Sequence, residues 1–303
     1  MSRLLIIVVL LLEALVAQTS DAADAPGTFG EEVSKQAEIY NSVGQKVPEG
    51  YILGRSLMSY AFTLSSEFRH SLGNLGAHER WLDIGAGEGH AVLDYRTLKY
   101  DVILPGANNR GGKAQVVALS IEDRRTPRWH EAAAALGEQQ IKYLFGRRLR
   151  EYSLEELGQF QLVTDFLGAF SYTRYLSVFM DKALGFLSVN GNFYTLLQDV
   201  HSENEANRPF YSGSPFLTEI VKSDSSEMKV CSWLKSISCV EVTCELKPES
   251  SPPVELYRIR KVCGGITVPQ LELVHFAAGT PPERRFELKT PLPEVLDPTD
   301  TKR

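Results

Sequence analysis

The segment Trp81-Leu82-Asp83-Ile84-Gly85-Ala86-Gly87-Glu88-Gly89-His90 constrains this chain more than any other. An apolar run suited to a strand passes directly into three glycines at alternate positions, then into Glu88 to Tyr95, whose spacing is helical. Glycine allows tight turning and close backbone approach, and a helix start presents unpaired N–H groups, so the turn suits a nucleotide-like ligand. The pattern is an acid followed by GxGxG, not the GxGxxG that seats a dinucleotide pyrophosphate, so nicotinamide and flavin cofactors fit it worse. Asp83 adds an acceptor for an ammonium group.

Around this turn, short apolar runs alternate with helical patterns. Arg80 to Ile84, Gln115 to Ile121, Ile141 to Phe145, Gln161 to Asp165 and Leu187 to Leu196 read as strands. Arg128 to Leu136 and Arg174 to Leu184 read as helices, and Leu57, Tyr60, Ala61, Leu64, Phe68 and Leu72 predict one further helix over Leu53 to Leu72. Such alternation implies a parallel sheet with helices on both faces. Val240 to Leu246 and Val254 to Val262 flank Lys-Pro-Glu-Ser-Ser-Pro-Pro, which predicts an antiparallel hairpin. Lys99 to Lys113, rich in Gly, Asn and Pro, reads as a loop insertion.

In this order the segments resemble the class I S-adenosylmethionine (SAM) dependent methyltransferases, whose first motif is an acid followed by GxGxG at the first strand-to-helix turn. The resemblance spans about Leu53 to Val262. Gln161-Leu162-Val163-Thr164-Asp165-Phe166-Leu167-Gly168 is similar to the family's fourth strand, and Leu184 to Phe193 to the segment entering its fifth. It implies an α/β, Rossmann-like SAM methyltransferase fold: a mostly parallel seven-stranded sheet, an antiparallel C-terminal hairpin and helices on both faces. It also implies SAM as methyl donor, with Asp83, Gly85, Gly87 and Gly89 at its methionine end and Asp165 beside cofactor and substrate. The methyl acceptor and a catalytic base are left unassigned.

Two positions depart from the family pattern. The usual acid at the end of the second strand is replaced by Ser120, which cannot accept bidentately from a ribose; Glu122 lies two residues on and shares its side of a continuing strand. After the third strand Arg147 stands where an acceptor for the adenine amine is common, and a guanidinium accepts no hydrogen bond. Two readings therefore stay open: a methyltransferase binding SAM or a related nucleoside, or a catalytically silent binding or interaction module on the same fold.

At the N-terminus, Arg3, the apolar run Leu4 to Leu12, and Ser20 and Ala22 form a secretory signal pattern with cleavage expected after Ala22. The run falls short of the roughly 20 residues a spanning helix needs, so the expected destination is outside the cytoplasm, an uncleaved anchor being the alternative. The expected organisation is a signal over 1–22, a leader over 23–52, the methyltransferase-like domain over 53–263, an extension over 264–289 and a disordered tail over 290–303. A net charge of −6 without a Lys/Arg-rich run argues against a nucleic-acid partner. GxSxG, GxxxxGK[ST] and HExxH motifs are absent, so hydrolase, NTPase and metalloprotease readings lack their anchors.

The four cysteines, Cys231, Cys239, Cys244 and Cys263, contain no CxxC pair, so no metal site is expected. In an exported protein they are candidates for disulfides, buried thiols being the alternative. Five residues of extended strand hold Cys239 and Cys244 about 16 Å apart, beyond the roughly 7 Å limit for a bridge. Counting back through the hairpin places Cys263 opposite Cys239, leaving Cys231 and Cys244.

Overall fold

The computed structural model describes residues 54–97, 112–198, 217–247, 254–277 and 282–289. The expected signal and leader, most of the 99–113 loop and the tail from 290 lie outside the described residues.

Five strands build the centre: β1 (Arg80–Ile84), β2 (Gln115–Leu119), β3 (Ile141–Leu144), β4 (Phe160–Asp165) and β5 (Leu187–Leu197). They are connected through the helices α3 (His90–Thr97), α4 (Pro127–Leu136), α5 (Leu154–Leu157), α6 (Ala169–Tyr172) and α7 (Leu176–Phe186). Ahead of β1 stand α1 (Leu57–Thr63) and α2 (Ser66–Gly73). After β5 come β6 (Thr218–Val221), β7 (Glu227–Met228), α8 (Val230–Lys235), β8 (Val240–Lys247), β9 (Val254–Lys261), β10 (Leu271–Ala277) and β11 (Glu283–Leu288).

The main sheet runs β3-β2-β1-β4-β5-β9-β8. β1 to β5 pair in parallel, whereas β9 meets β5 and β8 antiparallel. This is the mostly parallel, seven-stranded Rossmann-like architecture with a terminal hairpin. Because side chains alternate along a strand, Trp81 and Asp83 point to one face of β1, Leu82 and Ile84 to the other. The first face packs with Leu57, Tyr60, Phe68, Val92 and Trp129 from α1 to α4; the second packs with Met180, Ala183 and Leu184 of α7. Central strands buried on both sides read as continuous apolar runs, which is why the sequence marks them clearly.

The helix expected over Leu53 to Leu72 is two helices. Leu64 leaves α1 extended at ψ 165°, and Ser65 precedes α2 in the same region at ψ 169°. Leu64, Phe68 and Leu72 all remain buried, so the apolar spacing reports a shared buried side and passes through the break unaltered. Ser65 and Ser66 supply the residue type that favours a helix start over a helix interior.

A second sheet, ordered β10-β11-β6-β7, is formed from segments beyond β5. Its β11 carries Arg284, 1% exposed, whose guanidinium donates to Phe170 O (3.0 Å), Thr173 O (2.8 Å) and Thr218 Oγ1 (2.8 Å). The sheet thereby braces α6, the turn that follows β4. Cys239 bonds Cys263 as the hairpin reading expects, with Cα atoms 5.0 Å apart, and Cys231 bonds Cys244, tying α8 to β8. Among the described residues no helix is long and apolar enough to cross a membrane.

Candidate functional site

Strand order grows outward from β1 through β2 to β3 on one side and through β4 to β5 on the other. A ligand crevice of a doubly wound sheet opens at such a switch point, outside the carboxyl ends of the central strands. Ile84 and Asp165 are paired there, at the ends of β1 and β4. The two loops that leave these strands carry most of the sequence-predicted site.

The first is the glycine loop. Gly85, Gly87 and Gly89 all take left-handed φ angles, 67°, 56° and 71°, which explains their spacing because other L-residues are strained there. A Cβ on Gly85 would stand 2.8 Å from Gly168 Cα, and one on Gly89 would stand 2.6 Å from the Trp129 ring. The β1 and β4 loops therefore touch backbone to backbone, and the start of α3 is seated against Trp129 of α4. Leu167, in the β4 loop, holds φ 52°, a strained value for a bulky residue.

Asp83 is fully buried and closes a hydrogen-bond chain. Trp81 Nε1 donates to Thr164 Oγ1 (2.9 Å), Thr164 donates to Asp83 (2.6 Å), and the Tyr60 hydroxyl donates at 3.0 Å to both carboxylate oxygens. Burial pushes the Asp83 carboxyl up to about 6, against the opposing pull of Thr164, Arg55 and Tyr60. Asp165, equally buried, accepts from the N–H groups of Gly168 (3.1 Å) and Phe170 (3.2 Å). Burial raises it to about 7, while Phe170, Arg55 and Gly168 favour the ionised form.

Arg55 is the cation between them. It donates to Gly85 O (2.8 Å) and more weakly to Leu167 O (3.4 Å), and lies 5.5 Å over the Phe166 ring, which stacks on Tyr60. Asp83, Gly85 and Asp165 are thus gathered around one guanidinium. Gly87, Ser120 and Glu122 gather instead at Tyr143 of β3. Its hydroxyl donates to Gly87 O and Glu122 O and neighbours the Ser120 hydroxyl.

The Glu122 carboxylate is ion-paired with Arg124, and Arg147 pairs with Glu156 while stacking on Tyr152. Of the aromatics near β4, Phe170 is core. His90 lies 3.3 Å from Glu88. Cys231, Cys244 and Glu255 lie within 4.8 Å of one another, but the two sulfurs are bonded to each other and offer no thiolate to a metal.

No sequence motif marks Arg55, Tyr60, Thr164 or Tyr143 as site residues. Tyr60 stood in an apolar stripe and read as core; its one polar atom was the available signal. Arg55 is the cation immediately ahead of the first helix.

No protein-family model and no curated protein matches the sequence. Solved structures similar to this chain include an rRNA methylase from Streptococcus thermophilus, at 13% identity over 65% of this chain and 95% of that one, with TM-score 0.38. Phosphoethanolamine N-methyltransferase 2 of Haemonchus contortus, in complex with S-adenosyl-L-methionine, matches at 10% identity over 79% and 61%, with TM-score 0.46. The CMeT domain of citrinin polyketide synthase matches at 14% identity over 78% and 58%, with TM-score 0.43. Identities this low say nothing of what the present chain binds.

Proposed function

We propose that the protein binds SAM, or its demethylated product, in the crevice between β1 and β4, and works outside the cytoplasm as a SAM-dependent methyltransferase-like protein. The observation that carries this reading is the loop of three left-handed glycines at the end of a central strand, at the sheet's switch point. The acceptors there, Gly85 O, Leu167 O, Asp83 and Asp165, surround one positive charge, that of Arg55, which is the charge type a ligand's ammonium would bring. In this reading Ser120 and Glu122, just after β2, are the ribose partners, the latter once released from Arg124, and Gly87 and Gly89 bring no side chain to the loop between them and β1.

Bound there, SAM supplies a methyl group on a sulfonium, for in-line displacement in which the acceptor's nucleophile bonds the methyl carbon as the thioether leaves. The chain's part is positioning and the exclusion of water, which contribute much of the rate in such a displacement. Phe166 and Tyr60 form an apolar wall beside the acceptors. The N-terminal signal pattern and the two cystines both support a place outside the cytoplasm, since disulfides persist in oxidising compartments.

One observation favours the silent-module reading. The Asp83 carboxylate accepts from Tyr60 and Thr164 and has no exposed surface, so it is partnered within the chain and closed to a ligand. Calorimetric titration of the protein with SAM tests the binding claim: saturable heat is expected, and silence at millimolar ligand refutes it. Export is tested by following the full chain in cell fractions, where retention in the cytoplasm removes that part of the proposal.

A further inference from the structure

The acceptor-lined end of the crevice holds a cation that belongs to the chain itself. Arg55 Nη2 is 2.8 Å from Gly85 O and Nη1 is 3.4 Å from Leu167 O, so one guanidinium spans the loops after β1 and β4. Its own segment is held from both sides. A Cβ on Gly54 would lie 3.1 Å from Glu88 and 3.2 Å from His90. Beyond it, the Ser56 hydroxyl caps α1 and Leu57 N donates to Asp94 at 3.1 Å. Arg55 is therefore delivered to this position by packing at each neighbouring residue.

The geometry points to Arg55 as a specificity-determining residue: its guanidinium fills the place of a ligand's ammonium, so the site recognises the nucleoside end of an adenosyl thioether and gains little from its amino-acid end. This rests on the proposed reading of the crevice as an adenosyl site. Each carbonyl keeps a second lone pair, but an incoming ammonium must either share it directly beside a like charge or displace Arg55. The internal occupant is itself incompletely satisfied, because Arg55 Nε is buried without a hydrogen-bond partner among the described residues. Displacement is therefore possible but lowers affinity for any ligand that brings an amino group.

The test compares S-adenosylhomocysteine with 5′-methylthioadenosine, which keeps the nucleoside and thioether but lacks the amino acid, by calorimetry on the full chain and on Arg55→Met. Met retains an apolar stem against Phe166 without the charge. On the unaltered protein the two ligands are expected to bind within about threefold of each other, well under the 1.4 kcal/mol that corresponds to tenfold. Arg55→Met is expected to tighten S-adenosylhomocysteine at least about tenfold and to leave methylthioadenosine unchanged. Weaker or unchanged S-adenosylhomocysteine binding by the variant overturns the inference, the former by showing that Arg55 holds the ligand's carboxylate. A preference of the unaltered protein for S-adenosylhomocysteine beyond about tenfold overturns it as well, and this arm decides alone if the variant does not fold. Silence of both ligands with both proteins overturns the adenosyl-site reading itself, which the methylthioadenosine arm distinguishes from failure of the role of Arg55.

Discussion

Replacing Tyr60 with Phe removes one hydroxyl and leaves the ring where it stands, stacked on Phe166 at 4.6 Å and edge-on to Trp81 at 6.5 Å. What is lost is the donor to a buried carboxylate. Burial pushes the Asp83 carboxyl up to about 6 in the folded chain, from the 3.8 of a free side chain. Between those values the folded state keeps a proton that the unfolded chain has released. Stability therefore falls as pH rises from about 4 to about 6 and is flat above, a total on the order of 3 kcal/mol for this group. Above that window the Tyr60 hydrogen bond is charge-assisted, and its loss costs about 2 kcal/mol; below it the acceptor is neutral and the loss is about 1 kcal/mol. The difference of about 1 kcal/mol corresponds to raising the Asp83 midpoint by somewhat less than one pH unit. Urea unfolding of both proteins, without reductant, at about pH 5 and about pH 8 reads it directly, since Asp165 contributes to both and cancels to first order. Equal losses at the two pH values, or a smaller loss at the higher one, would mean that the Tyr60 hydroxyl does not favour the ionised form of Asp83.

Gly89→Ala combines a left-handed φ of 71° with a contact 2.6 Å from the Trp129 ring, and should destabilise by roughly 2 to 4 kcal/mol in chemical denaturation. Gly185→Ala, on the exposed side of α7 with nothing within 4 Å, should instead stabilise by up to about 1 kcal/mol. Arg284→Met leaves the carbonyls of Phe170 and Thr173 without their buried donor and should cost at least about 3 kcal/mol, with faster amide exchange in α6 as the local readout. Removing the Cys239–Cys263 bridge, which links residues 24 apart, should lower stability by about 3 kcal/mol; an unchanged urea midpoint for the double Ser variant would contradict it.

The glycine loop, the five parallel strands and the hairpin are all legible in the linear chain, because each rests on a local rule. Left-handed φ at Gly85, Gly87 and Gly89 demands glycine, and the central strands β1, β2 and β4, buried on both faces, must be largely apolar, while β3 at the edge shows as alternation around Lys142. The pairing of Cys239 with Cys263 was legible for a similar reason, since strand rise and register limit reach. The break at Leu64 was not, because burial is shared by both short helices and the apolar spacing reports burial alone. Nor was β11, whose Glu283-Arg284-Arg285 start reads as a solvated stretch until Thr218 and the carbonyls of α6 are brought against it.

The candidate site divides along the same line. Sequence alone determined that an acid and a glycine turn stand at the end of a central strand, with a second acid, Asp165, ending another. Tertiary structure decided what those acids face: Tyr60 lies 23 residues before Asp83 and Thr164 lies 81 after it, while Arg55 reaches across 112 residues to Leu167. Backbone conformation follows from neighbours in the chain, whereas the partners of a buried charge follow from which distant strands and helices pack around it, and no local spacing encodes that choice.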